Sequence, residues 1–298
     1  MNTTTTDPAP PEIAIIIPHY NDPARLEICL AALMQNDLTG AEVVVVDNDS
    51  PNPPDAVAAR FPGVRFLSET EKGAGPARNR GVAATTAPVL AFIDADCIAA
   101  PDWVATARAV AGEADLIGGR VDVHDETPPP RNGSQAFEKV FGYDFRHYIE
   151  VQGVSGAGNL VTRRSVFDVV GPFRAAVSED TDWTRRAVAA GYRLIYRDGL
   201  RVSHPSRPDW PALRVKWRRL VQESWALAQA ERPGTGTRLR WGIKALAMPA
   251  SAVVHAPKVL RSAKLAGMGE RLGALGVLIK LRLTRMVWML RQAFGGRI

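Results

Sequence analysis

Four short apolar runs alternate with helical patterns in the first hundred residues, and this alternation constrains the fold most strongly. The runs cover residues 13–17, 43–46, 64–67 and 89–93. Runs of this length that are rich in β-branched residues are typical of strands buried on both faces of a sheet. Short connections through helices imply right-handed crossovers. The predicted fold class is therefore α/β, with a mostly parallel sheet flanked by helices.

Polar residues follow three of these runs at the point where each predicted strand ends. His19-Tyr20-Asn21 follows the first run, Asp47-Asn48-Asp49-Ser50 follows the second, and Asp94-Ala95-Asp96 follows the fourth. Ligands of open α/β sheets bind at the carboxyl ends of the strands. Alternation along an extended chain predicts that Asp94 and Asp96 point the same way, towards one divalent cation or a phosphate. Two solvated turn aspartates are the alternative.

A glycine-rich segment at residues 72–81 carries Arg78 and Arg80, two side chains suited to phosphate. A dinucleotide-binding loop would directly follow the first strand and open the first helix. This segment lies too late in the chain for that, so dinucleotide binding is not predicted. A turn leading into a helix over residues 77–84 is the structural alternative.

A second acidic cluster, Glu179-Asp180-Thr181-Asp182, lies far along the chain. Ser178 is a good N-cap, and the pattern predicts a helix that ends near Gly191. Acidic residues at a helix N-terminus also have a purely electrostatic explanation, so the cluster has two interpretations. His204 follows the last predicted strand and is, taken alone, more typical of a packed side chain than of a ligand.

In this order the motifs resemble those of the inverting glycosyltransferases of family 2, over residues 13–204. The resemblance implies the GT-A fold, with a Rossmann-like, mostly parallel sheet. It also implies transfer of a sugar from a nucleotide-diphosphate donor to a hydroxyl acceptor, with Mg²⁺ or Mn²⁺ bound at the DxD motif, Asp94-Ala95-Asp96. The late acidic cluster would then carry the catalytic base.

The resemblance also implies roles for single residues. The donor-binding residues would be Pro18, Tyr20, Asn21, Asp47, Asn48, Arg78, Asp94 and Asp96. The metal ligands would be Asp96, Asp94 and His204, and the acceptor-side residues would be Gly158, Asn159, Asp182 and Arg185. Asp180 is expected to be the base, with Glu179 as the second choice.

Two departures from the family pattern bear on substrate and product. Asn48 stands where many relatives have a second Asp. The resemblance therefore leaves three donor nucleosides open: uridine, thymidine and guanosine. The Gln-x-x-Arg-Trp signature of processive relatives is missing, because Gln222-Glu223-Ser224-Trp225 lacks the Arg. We therefore expect a non-processive enzyme of the polysaccharide-biosynthesis type.

Charge is divided unevenly along the chain. From residue 205 onward there are 18 Lys or Arg and 4 Asp or Glu, a net charge of +14, whereas the first 204 residues carry −8. The tail reads as helical and basic with interleaved Trp, which predicts binding to an anionic membrane surface. Helix packing or a homodimer contact is the alternative. Nucleic acid is not expected, because the acidic body offers no continuous positive surface.

These observations define the expected domains, location and rival functions. We expect a disordered N-terminus over 1–11, the GT-A domain over 12–204 and a basic helical extension over 205–298. No secretory signal or membrane span is predicted, so the protein is expected in the cytoplasm, peripheral on the inner face of the plasma membrane. A lipid-linked glycan would be the acceptor, in surface polysaccharide or exopolysaccharide synthesis. A sugar-nucleotide nucleotidyltransferase and a non-catalytic nucleotide- or membrane-binding protein are the alternatives.

Overall fold

The computed structural model describes residues 10–175 and 178–298, so most of the predicted disordered N-terminus lies outside the described residues. The strands are β1 (Ile13–His19), β2 (Ala41–Asp47), β3 (Arg65–Ser68), β4 (Val89–Ile93), β5 (Ile98–Ala99), β6 (Leu116–His124), β7 (Asn159–Arg163) and β8 (Leu194–Pro205). The helices are α1 (Pro23–Leu33), α2 (Asp55–Arg60), α3 (Ala74–Ala83), α4 (Trp103–Val110), α5 (Gly133–Phe141), α6 (Phe145–Glu150), α7 (Arg164–Val170), α8 (Glu179–Ala189), α9 (Trp210–Glu231), α10 (Thr235–Leu246), α11 (Met248–Leu260) and α12 (Met268–Ala293).

The strands form one sheet in the order β3-β2-β1-β4-β7-β6-β8-β5. The first four strands in this order are parallel, β7 is antiparallel to both β4 and β6, and β5 is antiparallel to β8. The predicted α/β class is thus confirmed. The strands β5 and β7 were not predicted, because β5 has only two residues and β7 begins at Asn159, a poor strand former that follows a glycine-rich segment.

The core of the sheet lies on both faces of β1, β2 and β4. All five residues of the first apolar run, 13–17, are fully buried, as its composition predicted. On one face, Phe173 packs edge-on against Phe92 and contacts Trp183, with ring centres 5.4 and 5.3 Å apart. These aromatic contacts attach the segment before α8 and the helix itself to the middle of the sheet.

By its internal contacts the chain divides into two compact units. Of the described residues, the sheet unit comprises 10–122, 144–175 and 178–204, and the helical unit comprises 123–143 together with 205–298. The predicted GT-A domain spans residues 12–204, and the helical unit contains the residues from 205 onward. The inclusion of 123–143 in the helical unit corrects that prediction. Its cause is α5, whose Ala136 and Phe137 share a hydrophobic cluster with Ala274 and Leu278 of α12.

Segment 124–132 belongs to the helical unit and is tied to it by side-chain contacts. Arg131 bridges Asp125, at 2.6 Å, and Glu270, at 3.4 Å. The hydroxyl of Ser206 also donates to Asp125, at 2.7 Å. Within the described ranges, no helix has both the length and the apolar character needed to cross a membrane.

Candidate active site

The ends of β1 and β2 are locked together by a side-chain network. Nδ1 of His19 lies 2.8 Å from Oδ1 of Asp47, and the hydroxyl of Ser50 donates to the same oxygen at 2.6 Å. The backbone N–H of Asn21 donates to the oxygen of Ser50 at 2.8 Å. Tyr20 is 55% exposed beside this network. The polar residues that follow β1 and β2 are therefore neighbours. The carboxylate of Asp47 is largely occupied by hydrogen bonds within the protein.

Asn48 has a structural partner for each of its polar atoms. Its amide nitrogen donates to the backbone oxygens of Glu69 and Glu71, at 3.0 and 2.7 Å, and its oxygen accepts from the N–H of Gly73 at 2.7 Å. Both amide hydrogens are used in this way. In this structure the side chain of Asn48 positions the loop before α3, so it does not offer a donor to the base of a nucleotide.

Arg78 connects the two acidic motifs. Its guanidinium donates to Asp94 at 2.7 Å and to Glu179 at 2.9 Å, residues that are 16 and 101 positions away in the chain. The side chain is only 4% exposed and lies over the ring of Phe173. Sequence reasoning assigned Arg78 to the donor phosphates, whereas the structure pairs it with protein carboxylates. The two motifs therefore border a common site.

Asp94 and Asp96 contact different partners, and they follow β4 in a turn rather than in the extended chain on which the prediction that they point the same way was based. β4 ends at Ile93, and the N–H of Cys97 bonds to the backbone oxygen of Asp94 at 2.9 Å, which closes a turn. Strand alternation therefore does not apply to the two carboxylates. Asp94 pairs with Arg78, whereas Oδ2 of Asp96 lies 3.0 Å from Nε2 of His204.

His204 reaches Asp96 because β5 pairs with the end of β8. Ile98 is opposite Ser203 in this ladder, which places the next residue of β8 beside the turn after β4. The His204 side chain is 8% exposed. The association of these residues, 108 positions apart in the chain, is a consequence of the antiparallel strand pair that the sequence pattern did not predict.

Two of the three predicted metal ligands, Asp96 and His204, lie close enough together to bind one cation. In the part of the chain that the structure describes, no group of three His, Cys, Asp or Glu side chains is arranged to hold a metal, and Asp94 is engaged by Arg78. Asp96 and His204 do lie together, and their 3.0 Å separation suits neighbouring ligands of an octahedral cation with bonds of about 2.1 Å. Mg²⁺ and Mn²⁺ are commonly held by one or two protein ligands together with substrate phosphates, so the pair suits such a shared site.

Asp180 is half-buried at the start of α8. One carboxylate oxygen accepts from the N–H of Thr181 at 2.7 Å. Burial raises the pKa of Asp180, and the neighbouring carboxylate of Glu179 raises it further. A carboxyl group whose pKa is raised in this way is a stronger proton acceptor than an ordinary aspartate.

Two glycines give the acidic residues room. A side chain at Gly158 would come within 2.6 Å of Oδ2 of Asp94, and one at Gly156 would lie 3.3 Å from Oδ2 of Asp180. The segment 156–158 therefore runs past both carboxylates. This is a second link, independent of Arg78, between the segment after β4 and the start of α8.

The other acceptor-side candidates are placed elsewhere. Asn159 is fully buried, where its oxygen accepts from Nε1 of Trp103 at 2.9 Å and its amide donates to two backbone oxygens. Asp182 pairs with Arg186 along α8 at 2.9 Å, and Arg185 is exposed on that helix. Gly158 is the member of the predicted acceptor group that borders the carboxylates.

Asn79 is a positioning residue that sequence reasoning missed. Its amide donates to the backbone oxygen of Phe173 at 2.8 Å, and its oxygen accepts from the N–H of the same residue at 2.9 Å. This pair of bonds holds the ring that lies under Arg78. The two residues are 94 positions apart, and no local pattern marks their contact.

The fold and the paired acidic motifs define a GT-A type glycosyltransferase. The family description "Glycosyl transferase family 2" matches residues 14–198, which is more than half of the chain. The chain belongs to glycosyltransferase family 2. It is 31% identical to the glycosyltransferase AglE of Haloferax volcanii over 221 residues, 70% of this chain and 71% of that protein. An uncharacterized glycosyltransferase of Escherichia coli, YibD, is 31% identical over 109 residues, 35% of this chain and 32% of that protein.

Solved structures share the fold at low sequence identity. The mannosyltransferase PcManGT of Pyrobaculum calidifontis, in complex with GDP-Man and Mn²⁺, has a TM-score of 0.55 and 18% identity, and the match covers 98% of this chain and 78% of that one. TarS 1–349 of S. aureus, in complex with UDP-GlcNAc, has a TM-score of 0.53 and 14% identity, with 96% and 92% coverage. These likenesses confirm the GT-A fold.

Proposed function

We propose that this glycosyltransferase is a metal-dependent, inverting and non-processive enzyme that transfers a sugar from a nucleotide-diphosphate donor to a hydroxyl acceptor. The observation that carries the proposal is the bridge from Asp94 through Arg78 to Glu179, which holds the DxD segment next to Asp180. This bridge supports a single displacement, in which a metal-holding group and a proton-accepting group act on the same substrate.

Asp180 is proposed as the catalytic base. The acceptor hydroxyl must lose its proton as its oxygen attacks the anomeric carbon, and the raised pKa of Asp180 favours proton uptake. One of its oxygens is bonded to Thr181, and the other lies beside Gly156, where the glycine leaves space. Attack from the side opposite the leaving diphosphate would invert the anomeric configuration. Glu179 is engaged by Arg78 and is the weaker candidate.

Asp96 and His204 are the proposed ligands of Mg²⁺ or Mn²⁺. When bound, the cation supplies positive charge that stabilises the leaving diphosphate. Arg78 was expected to bind the donor phosphates. Because it contacts Asp94 and Glu179, we propose instead that it is a positioning residue.

We propose that backbone groups of the loop 69–73 recognise the base of the donor nucleotide. Asn48 holds this loop and has no free amide hydrogen to offer the base. Because structural neighbours bind GDP-Man and UDP-GlcNAc, these two donors are the first to be tested.

The decisive experiment measures nucleotide release and the anomeric configuration of the product with each donor, with and without Mn²⁺. Asp180→Asn should lower the rate at least about 100-fold, the usual contribution of a general base, without abolishing donor binding. Asp168→Asn changes an exposed aspartate of α7 and is the matched control. Full transfer by Asp180→Asn would show that another group is the base, and a retained configuration would exclude single displacement.

We also propose that the helical unit binds an anionic membrane surface, with a lipid-linked glycan of surface polysaccharide synthesis as acceptor. Most of the large exposed hydrophobic side chains belong to this unit. On α10, Leu239, Ile243 and Leu246 recur at helical spacing and are 60–67% exposed. Exposed apolar helix faces combined with a strong positive charge are typical of helices that lie in a membrane interface. The protein would then be peripheral on the cytoplasmic face of the membrane.

A further inference from the structure

A groove of about 350 Å³ lies in the helical unit, lined by residues of α9 and α12. Its lining residues are Trp210, Arg214, Lys280, Thr284, Val287 and Trp288. The ammonium group of Lys280 lies 4.3 Å from the centre of the Trp210 ring. The groove therefore combines two cations with two indole rings and a hydroxyl group. Its volume lies near the lower end of the range for small-molecule sites.

The two cations of the groove have no carboxylate partner in the part of the chain that the structure describes. Among the described residues, neither Arg214 nor Lys280 forms a salt bridge, whereas Lys216 of the same unit pairs with Glu138 at 2.5 Å. The segment 271–298 contains six Lys or Arg and not one Asp or Glu. Clustered cations without counter-charges repel one another, so an external anion at this place would lower the electrostatic energy.

Other cations of α12, interleaved with the groove residues, also have no carboxylate partner among the described residues. The guanidinium of Arg285 lies over the ring of Trp217 at 4.6 Å, and the Nε atoms of Arg285 and Arg282 are buried without a hydrogen-bond partner. Burial and the nearby Arg282 lower the pKa of Arg285 to about 10. The positive field of this helix is therefore not confined to the groove.

An exposed apolar face of α12 borders the groove. Leu272, Ile279, Leu283 and Val287 recur at helical spacing and are 44–58% exposed. Val287 belongs both to this face and to the lining of the groove. A phosphate held by Arg214 and Lys280 would therefore have an apolar helix face beside it, and Trp is the residue type that favours such a boundary.

We propose that this groove binds the phosphate of an anionic phospholipid, with the apolar face of α12 in contact with the acyl chains. The inference rests on the proposed membrane association and adds to it a defined headgroup site. A diffuse attraction would treat all exposed cations of the helical unit alike. With a defined headgroup site, Arg214 and Lys280 contribute more to the free energy of vesicle binding than the other exposed cations do.

The test is sedimentation of the full chain with phosphatidylcholine vesicles that contain phosphatidylglycerol. The double variant Arg214→Gln/Lys280→Gln is compared with Arg240→Gln/Lys264→Gln, which removes two exposed cations that do not line the groove. A diffuse field costs about fivefold in binding per charge removed, equally for both pairs. We expect the groove pair to cost at least about tenfold more than the control pair. The charge-conserving Lys280→Arg should retain binding, and circular dichroism of each variant should match the wild type.

Three results would overturn the proposal, and they are distinguishable. Equal losses for the two pairs would exclude the groove while leaving membrane association standing. No vesicle binding by the wild type would remove the membrane proposal and the groove with it. The third result combines two measurements. Inorganic phosphate raises the melting temperature of the wild type but not of the groove variant, while vesicle binding is the same for both. The groove would then be a site for soluble phosphate.

Discussion

The carboxyl group of Asp180 is half-buried and lies next to the carboxylate of Glu179 in the first turn of α8. Its pKa is raised above the ordinary 3.8 by burial and by this neighbour. Because the folded state then binds the proton more tightly than the unfolded chain does, the group opposes folding as the pH rises above 3.8. The full penalty is reached once the pH exceeds the raised pKa.

We therefore expect Asp180→Asn to stabilise the protein at neutral pH while it removes activity. The expected gain is about 0.5–2 kcal/mol, the usual size of such stabilising changes. Urea unfolding between about pH 4 and 8 should show a gain that grows with pH, since the charged form carries the cost. With Asp168→Asn as the control, a gain that is absent or falls with pH would contradict the assigned pKa direction.

Arg78 is the residue on which the site's acidic groups depend. Removal of its charge in Arg78→Met would leave Asp94 and Glu179, which are 36% and 25% exposed, without their shared cation, and we expect a loss of about 1–3 kcal/mol. Arg80→Met, at an exposed position of the same helix, should change stability by less than about 0.5 kcal/mol. Chemical denaturation measures both. Similar small losses for the two variants would show that the bridge contributes nothing to the fold.

At the scale of elements, the loop before α3 depends on one amide. Asn48→Asp keeps the size of the side chain but replaces two donated hydrogen bonds by a carboxylate facing the backbone oxygens of Glu69 and Glu71. We expect a loss of about 1–3 kcal/mol for each unsatisfied group. Amide hydrogen exchange should quicken over residues 69–73.

Asn52→Asp is the matched control for this change, because Asn52 is exposed five residues beyond β2. It adds the same charge without disturbing the loop. Unchanged exchange in Asn48→Asp would mean that the loop is held by other contacts. The result also bears on the family pattern, since an aspartate common in relatives would be unfavourable in this chain.

Local pattern predicted the elements of the first half of the chain well. The strands β1, β2 and β4 are long apolar runs, which leave a buried sheet as the natural outcome. The region between β6 and β7 was not predicted, because α5 and α6 have only 9 and 6 residues and follow a proline-rich stretch. Short helices are specified largely by tertiary packing.

At the scale of the whole molecule, net positive charge and exposed apolar side chains are both concentrated in residues 205–298. If attraction to anionic lipid is electrostatic in origin, vesicle binding should weaken as salt rises from about 0.1 M to about 1 M, where the screening length falls from about 10 to about 3 Å. Leu283→Asp should weaken binding at every salt concentration, because it places a charge on the exposed apolar face of α12. Flotation with neutral and anionic vesicles measures both effects. Binding that is insensitive to salt and to Leu283→Asp would contradict the membrane role.

The sequence alone determined the α/β class, the order of the acidic motifs and the contrast between an acidic body and a basic tail, because these follow from local composition and spacing. The tertiary structure decided which partner each carboxylate contacts. Asp94 turns towards Arg78 and Asp96 towards His204, Asn159 enters the core, and residues 123–143 join the C-terminal helices. Each of these outcomes depends on contacts between residues far apart in the chain, whose energies no local pattern contains.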